Sequence, residues 1–281
     1  GLRFDFEHAR LRYRNYTDTW YTKTHIKNET AYERPIDIDD RSTLKQTFTE
    51  LLPKFSVMYS FDETRNLYLT IAKGYKSGGF NTQIFSDVLQ QKMMNRMGIG
   101  EVYDVQRGVA YKPEYSWNYE IGGHFSCMEG AVRGDFALFY IDCRDQQLTV
   151  FPPGQTTGRM MTNAGRTRSL GAEAAVQISP WRTFDINLAY GYTDARFVRY
   201  ETTVKNDDGD PVRISYKDNR IPYAPQHTLS AGAAWTVPTG VKWLGDLVFQ
   251  AGVRCAGRIW WNEENTLSQP FYALTDLSLI H

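Results

Sequence analysis

The sequence predicts an all-β protein, a transmembrane antiparallel up-and-down β-barrel of which this chain carries an incomplete run of about ten strands. Three observations predict it. Apolar residues recur at every second position over long stretches, which puts them on one face of a strand. The connections alternate between short and long, the arrangement of a barrel with short turns at one membrane surface and long loops at the other. Several segments run longer than the about 9–11 tilted residues that cross a bilayer, whereas soluble strands average about 5–6.

Composition narrows the classes. The 281 residues hold 32 Lys and Arg against 32 Asp and Glu. That balance lacks the basic excess of a nucleic-acid binder, so no nucleic-acid partner is expected. Mean hydropathy is −0.49. No apolar run approaches the roughly 18 residues of a spanning helix. Membrane strands escape such averages, because their apolar face is diluted by the polar one. Aromatics make up 14%, with 18 Tyr and 15 Phe, a composition that favours strands.

In chain order the strands are expected at roughly 2–14, 44–61, 67–78, 114–127, 132–150, 161–179, 183–200, 226–238, 245–261 and 270–281. The alternation is clearest in four of them. Trp117, Tyr119, Ile121, Phe125 and Cys127 interleave with Asn118, Glu120, Gly122, His124 and Ser126. Leu170, Ala172, Ala174, Val176 and Ile178 interleave with Gly171, Glu173, Ala175 and Gln177. Phe184, Ile186, Leu188, Tyr190 and Tyr192 interleave with Asp185, Asn187, Ala189, Gly191 and Thr193. Leu247, Phe249, Ala251 and Val253 interleave with Val248, Gln250, Gly252 and Arg254. Phe136 to Ile141 is apolar on both faces.

Short turns fall at 62–66, 128–131, 179–182 and 238–244, and long loops at about 15–43, 79–113, 151–160, 201–225 and 262–269. Trp181, Trp235 and Trp243 gather near the short turns, as in an interfacial girdle. Inside the loop 79–113 the period changes. Ser86 and Asp87 suit a helix start, and Met93, Met94 and Met97 follow at helical spacing, so a short helix is expected at about 87–97. Its methionines can pack it onto its own loop or meet a ligand.

Six segments in sequence then carry a resemblance. Ala72-Lys73-Gly74-Tyr75-Lys76-Ser77-Gly78-Gly79-Phe80-Asn81 resembles the strand-to-loop motif of TonB-dependent outer-membrane receptors. Pro113-Glu114 with Tyr119-Glu120-Ile121-Gly122, Phe139-Tyr140-Ile141-Asp142 with Asp145-Gln146-Gln147, and Asn163-Ala164-Gly165 with Gly171-Ala172-Glu173 resemble successive strands of the same family. Ala189–Ala195 and Ile221–Gln226 complete a series of motifs, in family order, over about 72–232. The resemblance implies the C-terminal half of a plugged barrel of about 22 strands. Residues 1–281 are then a partial barrel domain, with plug, TonB-contacting box and last strands expected outside them. No secretory leader begins at Gly1, and the chain starts and stops inside patterned segments, so it reads as a piece of a longer protein.

What the resemblance implies for function is active uptake of a large scarce nutrient, a ferric siderophore before haem, cobalamin or a glycan. It implies residence in the outer membrane of a Gram-negative bacterium. Its partners would be the inner-membrane TonB complex acting through the plug, the iron chelate, and outer-membrane lipid. A complete ten-stranded outer-membrane enzyme of the omptin-like protease type and a soluble all-β carbohydrate-binding module are the alternatives.

No enzyme signature is present. The histidines, His8, His25, His124, His227 and His281, have no metal-ligand spacing, and HExxH and GxSxG are missing. Cys127, Cys143 and Cys255 are scattered, which suits strand residues rather than a disulfide or zinc set. Gly74–Gly79 lacks phosphate-loop spacing, and 206–210 lacks the last glutamate of a calcium loop. No catalytic residue, metal or cofactor is therefore expected. The candidate ligand-contact residues lie at the long-loop rim: Tyr75 and Phe80, whose rings could stack on a chelate, and the cations Arg107, Lys112, Arg159 and Arg220. Glu120 and Glu173 sit on the polar strand face, so they point into the lumen. They can act as hydrated or salt-bridged wall charges, plug-docking groups or substrate contacts.

Overall fold

The computed structural model describes residues 1–24, 31–96, 108–150, 160–163, 165–205, 211–241 and 245–280. Eighteen strands and one helix run in the order β1 (Leu2–Thr24), β2 (Ala31–Ser60), β3 (Arg65–Lys76), β4 (Gly79–Phe80), α1 (Phe85–Arg96), β5 (Ala110–Tyr111), β6 (Glu114–Cys127), β7 (Val132–Arg144), β8 (Gln147–Val150), β9 (Met160–Asn163), β10 (Arg166–Trp181), β11 (Phe184–Arg199), β12 (Glu201–Lys205), β13 (Pro211–Ser215), β14 (His227–Pro238), β15 (Asp246–Ala256), β16 (Ile259–Trp260), β17 (Ser268–Gln269) and β18 (Tyr272–Ile280). Ten form one sheet, in the order β1-β2-β3-β6-β7-β10-β11-β14-β15-β18. Every neighbour pair is antiparallel and adjacent in the meander. The eight other strands form four small two-stranded pairs at the long-loop end.

Register turns the period-two pattern into continuous rows. One row reads Val57, Leu69, Ile121, Leu138, Ala172 and Tyr192 across six strands. A parallel row reads Phe125, Gly134, Val176, Leu188, Ala231 and Val253. The large side chains Val57, Leu69, Ile121, Leu138 and Leu188 of these rows stay exposed, Ile121 at 48% and Leu138 at 54%, so this face is covered by lipid in a membrane barrel. The opposite face is mostly polar or small, with Met58 and Phe139 as exceptions. One of its rows reads Ser56, Thr70, Glu120, Phe139, Gly171 and Thr193, the next Met58, Tyr68, Gly122, Ala137, Glu173, Gly191 and Thr228. This is the lumen face. A Cβ on Gly171 would overlap the Phe139 ring, so the bare backbone there is what lets the ring lie flat on the wall.

The sheet is open: β1 and β18 are its two edges, with no pairing between them among the described residues. The complete ten-stranded barrel considered as an alternative is therefore not the architecture, and the unburied apolar face does not suit a soluble module.

Three expectations need correction. The stretch 15–43 was expected as a loop, yet β1 and β2 continue through it in register up to Thr24 and Ala31, beyond which His25 to Thr30 lie outside the described residues. Above the lipid a strand needs no apolar face, so the alternation fades while the ladder persists; Ile36 and Ile38 are buried within it. The expected strand 132–150 breaks at Asp145, which takes a positive φ of 53°, and resumes as the short pair β8–β9. The loop 201–225 likewise holds a hairpin, β12–β13.

Candidate functional site

The long-loop end carries a layer built on the strand ends. Its first part comes from the segment after β3. Gly78 and Gly79 admit β4 beside β5, because a Cβ on Gly78 would collide with the Tyr111 carbonyl and one on Gly79 with the Tyr111 ring. A 3₁₀ turn at Thr82–Ile84 leads directly into α1, so Ser86 lies inside the first turn rather than capping it. Ile84 and Val88 bury against Val109 and Met160. Phe85 packs on Tyr13 at 4.5 Å between ring centroids, and Lys92 pairs with Asp40. Met93 and Met94 are only half-buried, so the helix is seated by Ile84 and Val88 rather than by a methionine stripe; Met97 lies outside the described residues.

Carboxamides join this part to the next loop. The Asn81 Nδ2 donates to the Gly108 carbonyl at 2.7 Å and the Met161 carbonyl at 2.8 Å, and its Oδ1 accepts from the Met161 N–H at 2.7 Å. The Asn163 Oδ1 accepts from the Lys112 N–H at 2.8 Å, while its Nδ2 donates to the carbonyls of Lys112 (3.0 Å) and Asp145 (2.7 Å). The Gln147 Nε2 donates to the carbonyls of Ser77 (2.7 Å) and Lys112 (3.1 Å), and its backbone N–H donates to the Glu114 carboxylate at 2.7 Å. A carboxamide carries both donors and an acceptor, so it can close two strand-like backbones without burying a charge. Asn81, Glu114, Gln147 and Asn163 all belong to the quoted motif segments, and their meeting was not foreseen from sequence.

A second part joins the last two loops. Phe197, Tyr200, Tyr216 and Ile221 form its core with Leu148 against them. The Tyr216 hydroxyl donates to Glu264 at 3.1 Å, the Asn219 Nδ2 to the Glu263 carbonyl at 2.9 Å, and Asn265 exchanges hydrogen bonds with the Arg220 backbone at 2.6 and 3.0 Å. Burial pushes the Tyr200 phenol up to about 12 and raises Glu263; burial with Glu264 beside it raises Tyr216 further. Both phenols are neutral donors near neutral pH. Exposed aromatics adjoin this part: Tyr223, at a positive φ of 65°, meets Trp261 edge-on at 5.5 Å, and the Arg258 guanidinium lies 5.5 Å from the Trp260 ring centre.

The expected site residues fall into different roles. Tyr75 meets the Tyr115 ring at a tilt, 5.7 Å between centroids, and its hydroxyl is buried without a partner among the described residues. Phe80 is half-buried in β4. Lys112 is clamped through its backbone and leaves its side chain exposed. Arg220 pairs with Asp194 at 3.0 Å and is mostly covered, which makes it a tie between loop and strand. Arg107 and Arg159 lie outside the described residues. On the polar sheet face Glu120 accepts from the Tyr68 hydroxyl at 2.9 Å and from Asn118 at 3.4 Å. Glu173 is exposed between Ala137 and Gly191, with no hydrogen-bond or ion-pair partner among the described residues. No cluster of metal-ligating side chains occurs among the described residues.

Comparison with known proteins fits this architecture. The family model described as TonB dependent receptor-like, beta-barrel matches residues 1–280. The pesticin receptor of Yersinia enterocolitica is 27% identical over 237 residues, covering 84% of this chain and 29% of its own length. The ferrioxamine receptor of Yersinia enterocolitica is 24% identical over 264 residues, covering 93% and 30%. Among solved structures, the ferric yersiniabactin uptake receptor FyuA of Yersinia pestis aligns with a TM-score of 0.57 at 22% identity, over 99% of this chain and 35% of its own. The siderophore receptor PiuA of Acinetobacter baumannii aligns at 0.59 and 15% identity, over 97% and 34%. This chain thus spans about a third of the length of the receptors it matches.

Proposed function

From the premise that the chain belongs to the TonB-dependent receptor β-barrel family, and so lies in the outer membrane, we propose that the whole protein actively imports a ferric siderophore. The observation that carries this reading is the full-length family match together with relatives that are themselves pesticin and ferrioxamine receptors. In this reading residues 1–281 are one part of the barrel, and a plug and further strands come from the rest of the protein. The protein makes and breaks no covalent bonds. A chelate binds at the outer rim, the TonB complex pulls on the plug, and the ligand passes along the polar lumen face.

The loop layer supports capture at this end. Its backbone clamps hold Lys112 with its side chain exposed, and the second part carries the exposed rings of Tyr223 and Trp261. Such a mouth suits a planar or anionic chelate better than a small neutral solute. Glu173, unpartnered on the wall, is proposed as a docking point for a plug cation, and Glu120 as a charge already satisfied by Tyr68.

The test uses the full-length receptor in cells starved of iron. Shortening 79–113 or 201–225 should abolish uptake of the cognate iron chelate while the barrel stays inserted, and shortening the turns at 128–131 or 182–183 should not. Unchanged uptake of every tested chelate with both long loops shortened would move capture elsewhere.

A further inference from the structure

Above the apolar rows, the outward face of β7, β10 and β11 changes character. Arg144, Arg166 and Arg199 lie directly opposite one another across three strands. One row below, Asp142, Arg168 and Arg196 do the same. The next rows down hold Tyr140 and Leu170, then Leu138, Ala172 and Tyr192, so the arginines stand at the edge of the lipid-covered surface. A register shift in β11 contributes: Thr167 pairs with Phe197 but Arg166 with Arg199, which skips Val198 and brings an arginine instead of a valine to the outward row. The long loops are at this end, so this edge is the one at the outer leaflet.

Six guanidiniums, Arg220 included, meet two carboxylates here. Asp142 accepts from Arg166 at 2.6 Å, and Asp194 is shared by Arg196 at 2.9 Å and Arg220 at 3.0 Å. Arg144, Arg168 and Arg199 are exposed and have no ion pair among the described residues. Like charges directly opposite on neighbouring strands oppose folding, and strands are only about 4.8 Å apart. A sheet that places three arginines in one row is short of a counter-charge. Guanidinium groups take phosphate oxygens in a two-point fork, and at this height the anions at hand are lipid headgroups.

We propose that Arg144, Arg168 and Arg199, with Arg166 and Arg196 beside them, bind the phosphate groups of an anionic outer-leaflet lipid. Its acyl chains lie on the apolar face directly beneath, where the small Ala172 stands between Leu138 and Tyr192. The headgroup carries more than one phosphate, since the free cations span two rows and three strands. The inference rests on the outer-membrane placement and is independent of which chelate is imported.

The test uses the full-length receptor, extracted and reconstituted in discs of phosphatidylcholine with or without a bisphosphorylated glycolipid. Native mass spectrometry counts the glycolipid retained per receptor. Arg144→Gln/Arg168→Gln/Arg199→Gln should weaken retention at least about tenfold, since each charge-assisted phosphate contact removed is worth that order. Arg133→Gln/Arg182→Gln, at the short-turn end, should not change it, and the dephosphorylated glycolipid should bind the unaltered receptor as weakly as the triple variant does. Equal retention by triple variant and unaltered receptor would overturn the proposal, as would displacement of the lipid by dilute inorganic phosphate, which would make the patch a soluble-anion site. If the triple variant does not insert, arginine-selective labelling of the unaltered receptor decides. Protection of Arg144, Arg168 and Arg199 by the bisphosphorylated lipid alone supports the proposal, and equal labelling with and without it refutes it. Chelate binding is measured separately, so failure of the transport reading leaves this result standing.

Discussion

Replacing Asn81 with alanine tests whether the loop layer is held by its carboxamides. Asn81 is 8% exposed and makes three hydrogen bonds of 2.7, 2.8 and 2.7 Å to Gly108 and Met161. Alanine leaves one N–H and two carbonyls without these partners. A buried group left unsatisfied costs about 1–3 kcal/mol, and water reaching this half-open layer brings each towards the lower figure, for a total of about 3 kcal/mol. Every 1.4 kcal/mol is tenfold, so the opening equilibrium of β9 against β4 and β5 should shift by about 100-fold. Hydrogen exchange on the full-length receptor in a lipid disc reads this directly, because local opening sets the exchange rate of each amide. The amide of Met161 and those of 108–111 should exchange about 100-fold faster, while 136–140 in the wall strand keeps its protection. Asn81→Asp keeps the acceptor for the Met161 N–H but sets a carboxylate against two carbonyls, so it should open the layer at least as far. Exchange at 160–163 within about threefold of the unaltered protein in both variants would refute the reasoning, since it would mean that Asn81 carries none of the coupling.

Four further outcomes are expected. Gly171→Val drives a side chain into the Phe139 ring, an overpacking worth about 1–3 kcal/mol, and should lower the melting temperature of the receptor; Phe139→Ala in the same chain should recover part of the loss. A cysteine at 187 should react with a water-soluble thiol reagent in membranes, and one at 188 should not; the reverse would sink the assignment of faces. Asp194→Asn with Arg220→Gln should show a coupling of about 0.5–3 kcal/mol in a double-mutant cycle, because each partner is mostly covered. Glu263 is raised by burial, so its contribution to the loop is fully present below the ordinary carboxylate value and is lost as pH rises through the raised one; protection of 259–269, corrected for intrinsic exchange, should fall from mildly acidic to neutral pH, and Glu263→Gln should remove that fall.

The membrane-crossing part of the fold was legible because lipid imposes it. Leu188 and Asn187 must take opposite faces, and the row from Val57 to Tyr192 follows once antiparallel neighbours are assumed. Above the lipid that constraint lapses. The ladder that continues β1 and β2 pairs Asn15 with Asp40, Tyr16 with Asp39 and Asp18 with Asp37, which puts polar residues on both faces, so its composition resembles that of a loop although the hydrogen bonding is that of a strand. Arg220 was legible as a cation and not as an ion pair, because its partner Asp194 is 26 residues away on another element. The carboxamides fail for the same reason on a larger scale: Asn81 and Met161 are 80 positions apart, and no local period encodes that meeting.

The layer also separates what must stay from what can vary. Asn81, Gln147 and Asn163 spend their side chains on backbone groups of other loops, so any substitution there strands several polar atoms at once. Lys112 is the reverse case. Asn163 and Gln147 grip its N–H and carbonyl, which every residue but proline supplies, while its side chain projects into solvent. The clamp is therefore indifferent to the identity of the residue it holds. The residue at 112 can therefore change without reopening the loops, whereas a change at 81 alters the loops first. In the capture proposed above, that division puts specificity on side chains seated by the motif rather than on the motif itself.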